Sequence, residues 1–409
     1  MSNGNARAQD ATDHLQAIFR TGSARAQALK DRLLASYGYG NARVRAMRSR
    51  LLTAGDFQEL LDREDPTGMI SYLAQHRDYK PDVDAALVRY EGLRCLVEAL
   101  RLHLVRIMRR VRSFYEGEPH QLLGLALGRW DVFNIKAVLH AQHAQVPPED
   151  ILTMLFPIGE LDDVALGEMV RQPGVRESAD WLMTWGSPYG RPLAAAMPEY
   201  TETGDLTVLE RALDQFHVTR LLTTLSTAGG FNANLVREMV GLEVDVTNII
   251  TVLRTRTGPE RAQAQAFLLG GGWRLPKLDL EDLSPDQARM LRVDTEQRSH
   301  LRRWQALVDA PDVPGVLAAL AGTPYADPLR QAWPRYEERH DLSVLTMMLE
   351  HYLIEQGIKQ WRQDPLSMAV PIGYTWAKTN EVTNLRQVAN GLVARLPRSV
   401  IEKNLFLVL

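Results

Sequence analysis

Two stretches of the chain, GSPYGRPLAAAMPEYTETGDLTVLERAL at 186–213 and GTPYADPLRQAWPRYEERHDLSVLTMML at 322–349, align without a gap at a shift of 136 residues. Fourteen of these 28 positions are identical, whereas ordinary composition would give about one or two. Each stretch opens with a turn rich in proline and tyrosine and continues with apolar residues three and four apart, which is the period of a helix. The chain is therefore predicted to be all-α and internally duplicated.

A second motif, [Asp/Glu]-x-x-Asn, extends the duplication to three copies. It occurs at Asp131/Asn134, Asp245/Asn248 and Glu381/Asn384. The second and third copies are related by the same shift of 136, and the first matches the second at a shift of 114, with six of nine residues identical from 131 to 139. Copies of this size are too large for a two-helix solenoid unit. We therefore expect three similar helical repeats around a pseudo-threefold axis.

The repeats divide the chain into predicted domains. These are a polar N-terminal leader or helix at 1–36, repeat 1 at 37–150, repeat 2 at 151–262 and repeat 3 at 263–409.

The carboxylate and the amide of the motif lie on one helix face, because they are three residues apart. One interpretation makes the six residues a polar seam that faces a ligand or the axis. The other has them bonding backbone groups at loop ends within each copy, and it is favoured because buried polar groups normally have partners. We keep the name polar seam for Asp131, Asn134, Asp245, Asn248, Glu381 and Asn384.

The turn of the longer duplication is also repeated residue by residue. Its proline fixes φ and its glycine supplies the turn, while the aspartate that precedes the next helix stands where an N-cap accepts a backbone N–H. The repeat-equivalent turn and cap residues are Pro188, Tyr189 and Asp205 in one copy and Pro324, Tyr325 and Asp341 in the other.

Upstream of these copies, the apolar spacing after Lys80-Pro81 predicts one helix of about thirty residues that ends near Gly117. Cys95 lies on its apolar side and is expected to be a small buried hydrophobe. The opposite face is expected to be solvated, with phosphate binding and pairing to acidic residues as alternatives. It carries Arg101, Arg106, Arg109, Arg110 and Arg112.

Composition excludes several functional classes. The 409 residues include a single cysteine, 47 Lys and Arg and 50 Asp and Glu, for a formal net charge of −3. One cysteine excludes an internal disulfide and a multi-cysteine metal site, and the charge balance gives no basic excess for wrapping nucleic acid. No stretch approaches the ~20 apolar residues of a membrane span, and the polar N-terminus lacks a secretory segment. We expect a cytoplasmic protein.

A search for catalytic motifs predicts no enzyme, no cofactor, no metal and no small-molecule substrate. There is no phosphate-binding G-x-x-x-x-G-K-[ST] motif, and His140 and His143 lack an evident third metal ligand. A hydrolase that uses Asp131, Asp245 or Glu381 is disfavoured, because catalytic acid and base groups need dissimilar environments. Three equivalent acidic positions indicate architecture instead.

Four segments together carry a family resemblance. Gly40-Asn-Ala-Arg-Val-Arg-Ala-Met47, with Arg43 and Arg45, is followed by DVFNIK at 131–136, EVDVTNI at 243–249 and KTNEVTNLR at 378–386, which ends in Arg386. The chain resembles the C subunits of the A/V-type rotary ATPases and ATP synthases, whose eukaryotic relatives are the d subunits. The resemblance covers residues 37–409 and leaves a polar leader of about 35 residues without a counterpart.

The resemblance implies an all-helical, funnel-shaped protein of three similar units around a pseudo-threefold axis. Members of that family are not enzymes. They bind the cytoplasmic face of the proteolipid ring without a transmembrane segment and hold the lower end of the central shaft, subunits D and F. The function implied is coupling of ATP turnover to proton or sodium transport. A helical-repeat scaffold or adaptor unrelated to rotary motors is the alternative.

Overall fold

A computed structural model describes residues 37–63, 65–257, 268–272 and 303–407. These ranges contain helices, turns and bends and no β-strand, so the all-α prediction is confirmed. The predicted leader at 1–36 and the predicted boundary between residues 262 and 263 lie outside the described residues. Within the described ranges, no helix combines the length and the apolar character that a membrane crossing requires.

The helices are numbered here in chain order. The first nine are α1 Tyr39–Arg48, α2 Ala54–Leu61, α3 Pro66–Gln75, α4 Lys80–Leu87, α5 Gly92–Arg112, α6 Gly117–Leu127, α7 Arg129–His143, α8 Pro148–Leu152 and α9 Asp163–Val170. They are followed by α10 Val175–Thr184, α11 Gly190–Thr203, α12 Thr207–Ala228, α13 Gly230–Thr257, α14 Val313–Ala319, α15 Ala326–Arg339, α16 Ser343–Lys359, α17 Ala369–Val393 and α18 Arg398–Asn404.

The single long helix expected after Lys80-Pro81 is wrong. Pro81 lies in the first turn of α4 as expected, but α4 ends at Leu87 and α5 begins at Gly92, which adopts a left-handed φ of 56°. That conformation is unfavourable for residues with a Cβ, so the glycine separates the two helices. Cys95 is buried, as predicted.

The arginines of α5 are largely bonded rather than freely solvated, so the expected solvated face is wrong in part. Arg101 donates to the backbone C=O of Leu155 at 3.0 Å. Further along the helix, Arg109 donates to Pro157 O at 2.8 Å and Arg112 to Gly159 O at 3.2 Å. Through these bonds α5 fixes the loop at 155–159.

The two duplicated stretches have the same local structure. Their turns begin at Gly186 and Gly322, with φ of 80° and 76°. The helices that follow, α11 and α15, have 14 residues each and carry a proline at the same internal position. They end at Gly204 and His340, both left-handed. The opening glycine and the internal proline are identical in the two copies, whereas the left-handed residue after each helix is a glycine in one and a histidine in the other.

The predicted cap aspartates lie one residue before the N-caps of the helices, which are Leu206 and Leu342, and each accepts a backbone N–H two residues later. Asp205 accepts the N–H of Thr207, and Asp341 accepts the N–H of Ser343, each at 2.9 Å. The assigned helices α12 and α16 begin two residues after these aspartates. Each aspartate also accepts the hydroxyl hydrogen of the same partner, at 2.7 and 2.6 Å.

Three large groups of buried apolar side chains form the core. One draws on residues 132–213 and a second on residues 246–349, so each contains one duplicated stretch. The largest combines residues from 37–158 with residues from 221–240 and 368–401. Both ends of the described chain therefore share one core. The boundaries 37–150, 151–262 and 263–409 stay predictions.

Candidate functional site

Each seam asparagine makes the same pair of hydrogen bonds. Its side-chain Nδ2 donates to a backbone C=O 21 or 22 residues later, and its Oδ1 accepts the N–H of that same residue. The pairs are Asn134 with Phe156 (2.7 and 2.7 Å), Asn248 with Leu269 (2.9 and 2.8 Å) and Asn384 with Phe406 (2.9 and 3.1 Å). We call each pair an asparagine clasp. All three asparagines are buried, and each clasp ties a loop to a helix.

The three seam carboxylates are buried as well, and the partners that follow are those among the described residues. They are Glu160 N and Leu161 N for Asp131 (2.8 and 2.9 Å), Tyr325 Oη for Asp245 (2.7 Å), and Leu52 N for Glu381 (2.7 Å), which has further side-chain partners.

One of the two tyrosines of the duplicated turn bonds to a seam carboxylate. Tyr325 donates to Asp245, whereas Tyr189 is 2.9 Å from His217 Nδ1. A third tyrosine, Tyr79, donates to Glu381 at 2.5 Å. Sequence reasoning missed Tyr79, although the spacing of the tyrosines marks it as the equivalent of Tyr189 and Tyr325. A tyrosine follows eleven residues after each of the three, at positions 90, 200 and 336.

The third carboxylate belongs to a buried charge network that joins residues 79–103 to residues 378–381. We define this network as Tyr79, Asp82, His103, Lys378 and Glu381, all buried. Its bonds are Lys378 Nζ to Glu381 Oε1 at 2.6 Å, Lys378 Nζ to His103 Nε2 at 3.4 Å and His103 Nδ1 to Asp82 Oδ2 at 2.9 Å. The stacked rings of Tyr79 and His103 have centroids 3.8 Å apart.

The hydrogen-bond order assigns the proton positions in this network. The lysine ammonium donates to His103 Nε2, so the neutral ring carries its hydrogen on Nδ1 and donates to Asp82. Burial, together with the charge of Lys378, lowers the pKa of His103 to about 4 against the opposing effect of Asp82. Burial would raise the pKa of Asp82, but hydrogen bonds from His103 and Arg106 bring it below its ordinary value. The imidazole therefore stays neutral between a cation and an anion.

The pKa values of the seam residue Asp131 and of His217 are also displaced. Burial raises the pKa of Asp131 to about 6, although the N–H groups of Glu160 and Leu161 act in the opposite direction. Burial, with the charges of Arg220 and Lys136, lowers the pKa of His217 to about 4.

The seam helices α7, α13 and α17 meet at Arg129. Its Nη1 is 3.6 Å from Glu243 Oε1 of α13, and its guanidinium lies 4.5 Å above the ring of Trp376 of α17. Beside this junction is a groove of about 350 Å³ with a mainly apolar lining. Its lining residues are Arg129, Trp130, Phe133, Ile354, Trp376, Thr379, Asn380 and Thr383. Phe133 is 45% exposed. The chemistry of the groove suits a protein contact.

The first asparagine clasp supports this groove. Phe156, which Asn134 holds by its backbone, packs against Trp130 and Phe133 with ring centroids 4.9 and 5.7 Å away. The clasp therefore holds the residue whose ring packs against the aromatic lining of the groove.

Replacement of Asn134 by aspartate should lower the free energy of unfolding at neutral pH by at least about 2 kcal/mol. The ionised aspartate keeps the acceptor for Phe156 N–H, but it leaves the Phe156 C=O without a donor and places an unpaired charge in the core. The measurement is the urea midpoint of the purified protein. The same change at the exposed Asn404 should stay within about 0.5 kcal/mol. Equal midpoint shifts for the two variants would argue against the clasp.

Comparison with known proteins places the chain in a family. The family described as ATP synthase (C/AC39) subunit matches residues 40–293 and 281–404. The chain belongs to the ATP synthase (C/AC39) subunit family. Proteins described as C subunits of A-type ATP synthases are similar to it across most of their length. The one from Methanosphaera stadtmanae is 26% identical over 350 residues, 85% of this chain and 82% of the relative. The one from Haloquadratum walsbyi is 25% identical over 334 residues, 82% and 88% of the two chains.

Membership in the ATP synthase (C/AC39) subunit family confirms the resemblance inferred from sequence. The basic residues that contributed to it lie in two places. Arg43 and Arg45 are exposed on α1, whereas Arg386 lies on α17 with its guanidinium 6.0 Å from the ring of Phe156. Arg386 thus contacts the first clasp, and the α1 arginines face solvent.

Proposed function

We propose that this chain is a non-catalytic central-stalk subunit of a V/A-type rotary ATPase or ATP synthase. In this role it couples the rotating shaft, subunits D and F, to the membrane proteolipid ring for proton or sodium transport. The observation that carries the proposal is the family match, which extends from residue 40 to residue 404. The chain would be a peripheral subunit at the cytoplasmic face of the membrane.

The architecture suits a part that transmits torque, because such a part must resist deformation between its two contacts. Each asparagine clasp fixes a loop by two hydrogen bonds to a buried asparagine. The buried charge network fixes residues 79–103 to α17. Close-packed interiors with satisfied polar groups transmit strain rather than absorb it. We infer that the polar seam supplies this stiffness and does not itself contact the partner.

The clasps also support an arrangement of three units around a pseudo-threefold axis, in a funnel-shaped molecule. In this arrangement α7, α13 and α17 occupy equivalent positions, and their meeting point at Arg129 is closest to the axis. The unit that contains α17 is completed by the N-terminal helices, because Tyr79 and Leu52 both donate to Glu381. The groove beside Arg129 is the proposed contact for the shaft.

Co-purification tests the proposal at the level of the complex. The chain is tagged in its native host, membranes are solubilised gently, and the co-purifying proteins are identified by mass spectrometry. Recovery of shaft subunits together with a proteolipid ring is the expected result. A clean monomer, or a set of unrelated soluble partners, would overturn the proposal and leave the helical scaffold as the alternative.

Phe133→Asp should weaken shaft binding at least tenfold, because it places a charge in an aromatic surface that must be desolvated on association. The measurement is the dissociation constant for the purified shaft subunits. Phe231→Asp is the matched control, since Phe231 is 59% exposed and does not line the groove. If the control weakens binding as much as Phe133→Asp, the groove is not the contact.

A further inference from the structure

One face of the molecule concentrates arginine. Arg43, Arg45 and Arg48 are exposed on α1, and Arg362 is exposed at the end of the short 3₁₀ helix Gln360–Arg362. We call these four residues the arginine face. From residue 37 to residue 55 the chain contains no Asp or Glu. This segment therefore carries four arginines and no carboxylate, although the whole chain carries a net charge of −3.

The shape of the face follows from the amphipathic pattern of α1. Gly40, Asn41, Val44 and Met47 are buried on its inner side. The outer side presents only short side chains between the arginines, namely Ala42, Ala46 and Ser49. Such a surface is basic, and it lacks a large apolar side chain at its centre.

Among the described residues, no carboxylate pairs with any of the four arginines, whereas neighbouring Arg50 pairs with Asp78 at 3.3 Å. Aromatic rings hold two of them instead. The guanidinium of Arg48 lies 3.9 Å above the ring of Trp361, and that of Arg43 lies 5.1 Å from Phe114 and 5.7 Å from Tyr39.

Arg362 directly follows Trp361, the residue whose ring Arg48 covers. Burial, together with the charge of Arg362, lowers the pKa of Arg48. Like charges held together without a counter-ion repel, and an anion bound between them would remove that repulsion. Guanidinium groups bind phosphate oxygens in a bidentate manner.

We propose that the arginine face binds the anionic phospholipid head groups of the membrane surface. The combination of arginine with tyrosine and tryptophan is typical of residues at a membrane–water interface, and Tyr39 is 63% exposed beside Arg43. A lipid surface offers many phosphate groups, so that several guanidinium groups can bind at once. A protein partner would instead be expected to use a central apolar anchor, and Ala42 and Ala46 provide none. The proposal does not depend on the rotary function.

The test is co-sedimentation of the full-length protein with vesicles of phosphatidylcholine alone, or of equal parts phosphatidylglycerol and phosphatidylcholine. We expect binding to the anionic vesicles only, and a decrease as salt is raised. Each basic residue near an anionic surface contributes about fivefold to binding, about 1 kcal/mol. The triple variant Arg43→Gln, Arg45→Gln, Arg48→Gln should therefore lose about 100-fold in affinity.

The matched control changes three exposed arginines on α15, Arg330→Gln, Arg335→Gln and Arg339→Gln, and thus the net charge by the same amount. It should bind anionic vesicles like the unmodified protein. Circular dichroism checks that both variants fold. Equal loss in both variants would show that bulk charge is responsible and overturn the proposal. Failure of the unmodified protein to bind anionic vesicles would also overturn the proposal. If the α1 variant then also failed to capture the detergent-purified ring, the partner of the arginine face would be a protein.

Discussion

Replacement of Lys378 by methionine should lower the free energy of unfolding by about 3–5 kcal/mol. Lys378 and Glu381 are both buried and pair at 2.6 Å, so the variant leaves a carboxylate in the core without its cation. The remaining donors to Glu381, Tyr79 Oη and Leu52 N, do not replace a full charge. A folded domain is stable by only about 5–15 kcal/mol, so this loss is large. The urea midpoint measures it.

The control for this prediction is an ion pair of the same spacing at the surface. Arg330 and Asp327 are also three residues apart and pair at 3.0 Å, but both are exposed. Arg330→Met should cost less than about 1 kcal/mol. The double variant Lys378→Met, Glu381→Gln should be more stable than the single variant, because the uncompensated charge is gone. A double variant no more stable than Lys378→Met would refute the charge explanation.

The helical fold was predictable because apolar spacing and duplication are both local signals. The fourteen identities between 186–213 and 322–349 mark turns and helix breaks that the structure shows at matching positions. The break before Gly92 was not predictable from the apolar spacing, since that spacing continues across it. It depends on one left-handed residue.

The seam was located by sequence, but its bonds were not. Each clasp partner lies in a loop 21 or 22 residues later, and nothing in those loops marks the residue whose backbone will be held. Of the buried charge network only Glu381 was singled out, and its partners Tyr79, Asp82, His103 and Lys378 were missed. The network joins residues as far apart as Tyr79 and Glu381, and the sequence pattern of Lys378 is that of an ordinary surface lysine. A contact between residues so far apart in the sequence leaves no periodic pattern by which it could be predicted.

The buried charge network has a direct consequence for the stability of the protein at low pH. The decisive group is His103, which lies between Lys378 and Asp82. Arg106, Glu381 and Tyr79 are the other titratable or charged groups near its ring. Its folded pKa of about 4 is below the ordinary value of 6.5. The unfolded chain therefore binds the proton more readily, and the contribution of His103 is fully present above pH 6.5.

As pH falls from 6.5 to 4, we expect His103 to cost the folded state about 3 kcal/mol, because each pKa unit corresponds to about 1.4 kcal/mol. His217 acts in the same direction, and Asp131, with its pKa raised to about 6, acts in the opposite one. The difference between the unmodified protein and His103→Gln isolates the first contribution. Urea midpoints measured across this range should fall more steeply for the unmodified protein, and NMR should show that the His103 ring stays neutral at pH 5.5. Parallel midpoint curves would mean that the imidazole is not the group that makes the buried charge network sensitive to acid.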